Sequence, residues 1–143
     1  MVNIIKTKLI WIESPTNPTL KISDLAEISK IAKASNALLV VDNTFASPIA
    51  QRPIELGADI VIHSATKYIG GHSDVIAGAC LGNEALMARV RAMRTFLGNM
   101  ASPNTAWLLL RSLETLKLRM DAQALNAEHV AAFLNKHPKV EKV

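Results

Sequence analysis

In the stretch HSATKYIGGHSD, residues 63–74, a single lysine, Lys67, sits between the hydroxyl residues Ser64 and Thr66 and the pair Gly70-Gly71. It follows closely on the apolar run Ile60, Val61, Ile62, and no acidic residue is adjacent to it. An amine in an apolar crevice is suited to attack a carbonyl, because burial favours the neutral form that must react. Two further polar clusters close apolar runs of their own, Ser14 to Asn17 and Asp42-Asn43-Thr44. Brought together, the three clusters would offer an amine, a carboxylate, amides and several hydroxyls.

Three other chemistries fit these residues less well. His63, His72, His129 and His137 lack the spacing and the acidic or cysteine companions of a zinc site, so no metal is expected. His72-Ser73-Asp74 contains the residue types of a hydrolase triad, but neighbours in sequence cannot align nucleophile, base and orienting acid. In a phosphate-loop nucleotide site the glycines precede the lysine, whereas Gly70 and Gly71 follow it.

The elements that must position these clusters alternate in type. Residues 7–12 (TKLIWI) read as a short strand, followed by the proline-punctuated loop ESPTNPT, 13–19. Ile22, Leu25, Ile28, Ile31 and Ala32 then have helical spacing, with Ser23 or Asp24 available as cap. ALLVV, 37–41, is a continuous apolar run of the kind buried on both faces, and it ends at Asp42. DIVIHS, 59–64, and AGACL, 77–81, supply two more strands. The expected fold class is therefore α/β, a mostly parallel sheet flanked by helices. In such open sheets ligands bind beyond the carboxyl ends of the strands, where all three clusters fall.

From Asn83 onward the pattern is helical. EALMARVRAMRTFLG, 84–98, ends at a glycine suited to a C-cap, and Ser102-Pro103 is an N-cap and first-turn pair. The helical stretch it opens extends to Pro138, long enough to require a break near Glu114–Lys117. Its Leu and Ala face reads as core or subunit contact.

Composition narrows the function classes. At 143 residues the chain is about one domain long, enough to make a single core feasible, yet half its residues are apolar and only 20% are charged. That balance leaves apolar surface for partner chains or further segments to cover. The net charge of +4 is spread along the length. Arg89, Arg91, Arg94, Arg111, Lys117 and Arg119 have helical spacing without interleaved aromatics, which reads as a solvated or interface face and not as a nucleic-acid stripe. The sole cysteine, Cys80, excludes an internal disulfide and fits a reducing compartment, with the cytoplasm as default. MVNIIKTKLIWIE, broken by Lys6 and Lys8, reads as a strand and not a signal peptide, and no run approaches the ~20 apolar residues of a membrane span.

Pyridoxal 5'-phosphate would use every part of this constellation. Its aldehyde needs a lysine for a Schiff base, its ring nitrogen needs an acid, and its phosphate needs hydroxyls and backbone N–H groups at a turn. Lys67 and Asp42 match the first two needs, and Ser64 and Thr66 the third. Taken singly, a lysine after a strand is more often a surface residue, and an aspartate there more often a turn residue or cap. Their combination at successive strand ends favours the cofactor.

SATKYIGGHSD, VVDNTFASPIAQRPIELGAD and WIESPTNPT together closely resemble the Cys/Met-metabolism family of pyridoxal-phosphate enzymes, and LGNMASPNTAWLLLRSLETLKLRM and NKHPKVEKV extend the likeness over essentially the whole chain. The resemblance implies a segment, 1–143, of the large cofactor-binding domain of the aspartate-aminotransferase-like (fold type I) enzymes. It implies Lys67 as the Schiff-base lysine and proton carrier, Asp42 at the pyridine nitrogen and Thr44 against the ring. Asn17 would lie near the ring hydroxyl and the substrate carboxylate, with Ser64 and Thr66 on the phosphate. The implied function is transsulfuration on sulfur amino acids, of cystathionine γ-lyase or γ-synthase type, with methionine γ-lyase and cystathionine β-lyase as alternatives. His72-Ser73-Asp74 after the glycine pair leans toward the γ-lyase and γ-synthase pattern. Such enzymes are homotetramers that share active sites between subunits.

Members of this family are much longer. Their N-terminal arm, with a glycine turn, a ring-stacking aromatic, and a tyrosine and arginine for the neighbouring subunit, has no counterpart here. Nor does the C-terminal domain with its carboxylate-clamping arginine. Tyr68, next to the lysine, matches none of these positions. Two readings of different class follow: a piece of a complete enzyme, or a free-standing folded core with an incomplete site. A phosphate-loop or zinc enzyme is a more distant runner-up.

Overall fold

The computed structural model describes residues 7–143, so the reading of residues 1–6 as part of a strand lies outside the described residues. Four strands form one sheet in the order β1 (Leu9–Glu13), β2 (Leu38–Asp42), β3 (Ile60–Ser64) and β4 (Gly78–Gly82). β1, β2 and β3 are parallel, with Glu13 opposite Asp42 and Asp42 opposite Ile62, and β4 returns antiparallel to β3. The carboxyl ends of the three parallel strands thus lie along one rim.

The core lies between the sheet and α1 (Leu25–Ala34), which spans the crossover from β1 to β2. Leu25 and Ala32 pack with Leu39, Val41, Ala58 and Val61, and Ile10, Ile12 and Ile28 close the cluster. Asp24 caps the helix by accepting the Glu27 N–H at 3.0 Å. Ile31, expected on the buried face, is exposed, and so is Ile22, which precedes the helix. The packed stripe instead follows Leu25, Ser29 and Ala32, seven residues at helical period, leaving Ile31 off to one side. Between β2 and β3 the chain makes a short helix α2 (Ser47–Ala50) and a 3-10 turn (Pro53–Leu56), neither foreseen from the sequence.

The second half is helical as expected. α3 (Glu84–Leu97) is capped by the Asn83 side chain and ends at Gly98, whose φ of 74° is the left-handed geometry glycine accepts without a Cβ penalty. α4 (Pro103–Leu113) starts behind Ser102, which accepts the Thr105 N–H at 3.1 Å. The chain breaks at residues 114–115 and continues as α5 (Leu116–Leu134). Of α5 only Leu116 is buried, and Leu118, Leu125, Val130 and Phe133 are exposed. On this chain the Leu and Ala face is therefore not core. The opposite side of the sheet is likewise incompletely covered, with Trp11 61% exposed, and a groove of ≈ 840 Å³ separates Ile60 and Ile62 from Leu86, Met87 and Val90 of α3.

Candidate functional site

Each strand end is held by side chains of the residues that follow it. At the end of β1, Ser14 is buried, and its hydroxyl accepts the Ser23 N–H at 3.0 Å. Asn17 lies one turn further, exposed, its N–H donated to Glu13 Oε2 at 3.2 Å. At the end of β2, Asp42 Oδ1 accepts the Thr44 N–H at 3.0 Å, an Asx turn that directs the chain out of the sheet. Thr44 Oγ1 in turn accepts the Ser64 N–H at 2.7 Å and so joins the second strand end to the third.

Beneath this rim lies an amide network the sequence did not announce. Asn43, buried to 1% exposure, donates through Nδ2 to the carbonyls of Gln51 at 2.8 Å and Ser47 at 3.2 Å. Gln51 Nε2 answers with bonds to Asn43 Oδ1 and to the Ser14 carbonyl, both 2.8 Å. The network locks the ends of β1 and β2 and helix α2 to one another, and among the described residues no buried side-chain polar atom is left without a partner, which is what makes burial of Asn43 tolerable.

Lys67 stands on the turn after β3. Its N–H bonds to the Ser64 carbonyl at 3.0 Å, its carbonyl accepts the Gly71 N–H at 2.7 Å, and Gly70 N–H reaches the Ala65 carbonyl at 2.7 Å. A Cβ on Gly70 would come within 2.9 Å of that same carbonyl and 2.7 Å of Val75, so the turn closes only around glycine. The four ion pairs among the described residues join Lys30 to Glu27, Arg52 to Glu55, Arg91 to Glu84 and Lys117 to Asp121, and none involves Lys67. Contrary to the expectation of a buried lysine, Lys67 is exposed, because the walls that this chain contributes surround its crevice on only part of its circumference.

That crevice has a volume of ≈ 850 Å³, within the ~300–1,000 Å³ of small-molecule and cofactor sites. Asn17, Thr44, Thr66 and Lys67 line it, together with Glu13, Phe45, Tyr68, Ser73, Asp74 and Gln123, which sequence reasoning had not assigned to the site. Phe45 and Tyr68 meet edge to face, 6.3 Å between ring centres. Asp42 and Ser64 are half-buried at the strand ends and do not line the crevice. The Ser64 hydroxyl has no hydrogen-bond partner among the described residues. The Thr66 hydroxyl is committed to its own loop, donating to the Ala77 carbonyl at 3.2 Å and accepting the Ala77 N–H at 3.0 Å. With its single proton engaged, Thr66 can donate to an anion only by releasing Ala77.

Among the described residues the donor set fits pyridoxal phosphate: an amine without an ionic partner, a carboxylate at a neighbouring strand end, and a hydroxyl that no other group engages. Next to Asp42, on β3, buried His63 has its pKa lowered from 6.5 by burial, against the opposing pull of the Asp42 carboxylate. His72 bonds through Nδ1 to the Gly70 carbonyl at 2.7 Å, with Ser112 Oγ at 3.5 Å, and so faces the lysine turn and not Ser73 or Asp74. Among the described residues no three His, Cys, Asp or Glu side chains gather as a metal would need, and no helix is long and apolar enough to cross a membrane.

Comparison with known proteins bears on the same residues. The model of the family described as "Cys/Met metabolism PLP-dependent enzyme" matches residues 2–143. A cystathionine beta-lyase of Coxiella burnetii is 51% identical over 140 residues, 96% of this chain and 36% of that protein. A cystathionine gamma-lyase of Dictyostelium discoideum is 49% identical over 139 residues, with the same two coverages. The crystal structure of cystathionine gamma-lyase from Lactobacillus plantarum complexed with L-serine superposes with a TM-score of 0.94 at 46% identity, covering 96% of this chain and 36% of that one. The chain spans little more than a third of the length of these relatives.

Proposed function

Because the chain belongs to the Cys/Met-metabolism PLP-dependent enzymes, we propose that it carries the lysine-bearing core of a transsulfuration enzyme acting on sulfur amino acids. Its architecture is that of the fold type I pyridoxal-phosphate enzymes, and residues 1–143 are read as one segment of their cofactor-binding domain. The observation that carries the proposal is the convergence of Asn17, Thr44, Thr66 and Lys67 on one crevice at the rim where three parallel strands end.

When bound, the cofactor supplies an aldehyde that captures an amine and a protonated ring that accepts the electron pair left when the α proton departs. In this reading Lys67 would hold the cofactor through its amine, and the same Nζ, when free, would carry protons between the substrate's carbons. Asp42, its Oδ1 fixed by the Thr44 N–H, would be the acid that keeps the ring nitrogen protonated. Thr44 would support the ring, Asn17 would serve the ring hydroxyl and the substrate carboxylate, and Ser64 would hold phosphate, joined by Thr66 if its hydroxyl releases the Ala77 carbonyl. Elimination or replacement at the γ carbon of cystathionine or an O-acylhomoserine is the reaction we favour, on the His72-Ser73-Asp74 pattern. β-Elimination and methionine γ-lyase chemistry begin with the same α-proton removal.

The exposed Lys67 and the uncovered face of α5 support a site completed by further polypeptide and an assembly of copies, a homotetramer in the family's manner. The unpaired Cys80 is consistent with a cytoplasmic setting. The 143 residues by themselves are expected to turn over little or nothing, since lost positioning alone can cost ~7 kcal/mol or more of the barrier. The test mixes the protein with pyridoxal phosphate, reduces with borohydride and locates the modified residue by mass spectrometry, then assays cystathionine, methionine and an O-acylhomoserine for 2-oxoacid or thioether product. Capture at Lys67 supports the reading, product from one of these substrates is expected only once further polypeptide completes the site, and label on any other residue would sink the reading.

A further inference from the structure

Arg119, one turn into α5, reaches 51 positions back along the sequence to the turn that bears the lysine. Its Nη1 donates to the Tyr68 carbonyl at 2.7 Å and its Nη2 to the Ile69 carbonyl at 3.4 Å, so the guanidinium grips the two residues that directly follow Lys67. The other side of the guanidinium is fixed to the break between α4 and α5. There Nη2 also donates to the Ser112 carbonyl at 3.0 Å and Nε to Thr115 Oγ1 at 3.1 Å. No carboxylate pairs with it among the described residues.

Gly71 is shaped around this contact. Its φ of +75° disfavours any side chain, and a Cβ there would collide with Nη1 and Cζ of Arg119. Gly71 is also the residue whose N–H closes onto the Lys67 carbonyl. The turn is therefore held from inside by that bond and from outside by the arginine, and only a planar fork with donors on both sides can join Tyr68, Ile69, Ser112 and Thr115 at once.

We propose that Arg119 is a positioning residue for Lys67: it fastens the lysine turn to the α4–α5 break and so fixes where the amine stands. This rests on the reading of Lys67 as the residue that captures the cofactor's aldehyde. The arginine touches neither cofactor nor substrate; it acts through the backbone of residues 68–71.

The experiment compares the intact protein with Arg119→Gln, Arg119→Lys and, as a control on a neighbouring helix, Arg111→Gln, whose parent side chain lies over Trp107. Without cofactor, hydrogen exchange at the amides of Lys67, Gly70 and Gly71 is expected to quicken about tenfold or more in Arg119→Gln, with Val41 and Val61 unchanged. With pyridoxal phosphate, the rate of borohydride-trapped capture at Lys67 is expected to fall about tenfold, Arg119→Lys lying between and Arg111→Gln matching the parent. Turn amides within twofold of the parent, or sheet amides quickened equally, overturn the proposal, the second outcome because the arginine then serves the fold as a whole. No capture at Lys67 in the unsubstituted protein overturns the functional reading instead, and the exchange measurement still decides whether Arg119 fastens the turn.

Discussion

The Thr44 hydroxyl accepts the Ser64 N–H at 2.7 Å, so the second and third strand ends are joined by a side chain where the ladder has run out. The same Thr44 takes its own direction from Asp42 Oδ1. One residue thus sets the spacing between the proposed ring acid and the proposed phosphate group. Replacing Thr44 by Val removes the acceptor and strands a half-buried N–H, a loss of about 1–2 kcal/mol in urea unfolding, while Thr44→Ser retains most of it. Pyridoxal-phosphate affinity, read by fluorescence titration, should fall in the valine variant and recover in the serine one.

Lys67→Arg keeps a cation on the same turn but no primary amine. Trapping by borohydride should vanish, and transsulfuration activity in the intact protein should drop by about a thousandfold or more, with the urea midpoint unchanged because the side chain is exposed and has no ionic partner among the described residues. A large fall in stability would show that Lys67 holds the fold together, which its surroundings give no reason to expect.

Asn43 is the buried residue on which two strand ends and α2 depend. Asn43→Leu leaves the Gln51 and Ser47 carbonyls and one Gln51 N–H without their partner, and a cost of about 2–4 kcal/mol is expected. Chemical denaturation measures it. Substitution of both Asn43 and Gln51 should cost less than the sum of the single changes, since each single variant orphans the other's groups.

His63 gives the molecule a pH dependence of definite sign. Burial lowers its pKa below 6.5 and Asp42 only partly offsets this, so the unfolded chain binds a proton that the folded one refuses. Stability is complete above 6.5, declines as the pH falls through that value, and levels off once the folded pKa is passed. Urea midpoints from about pH 8 to about pH 5 should trace this decline, and His63→Asn should flatten it.

Local patterns carried much of the architecture into the sequence. Each strand was foreseen to within two residues at either end, as were the Asp24 cap, the Gly98 stop, the Ser102-Pro103 start and the break before Leu116, because these depend on alternation, caps and breakers within a few residues. The meeting of Asn17, Thr44, Thr66 and Lys67 in one crevice follows from strand ends of a parallel sheet sharing a rim, whereas Asp42 and Ser64, expected with them, do not line it. What stayed hidden depends on distance along the chain. Arg119 had the spacing of a solvated helical face, and only the fold brings it to Tyr68. Asn43 was visible as part of a polar cluster, yet its exchange with Gln51 needs the α2 turn that no periodicity announced. Burial of Lys67 was misjudged because an apolar run before a residue says nothing of how many walls surround the residue after it.

Among the described residues the sheet ends at β1 on one side and at β4 on the other. An edge strand presents a row of amide and carbonyl groups able to pair with an extended segment, and on β1 the exposed Leu9 and Trp11 add apolar surface. A solution of these 143 residues is therefore expected to self-associate through its edges as concentration rises, with light scattering increasing while the α1-covered core stays folded.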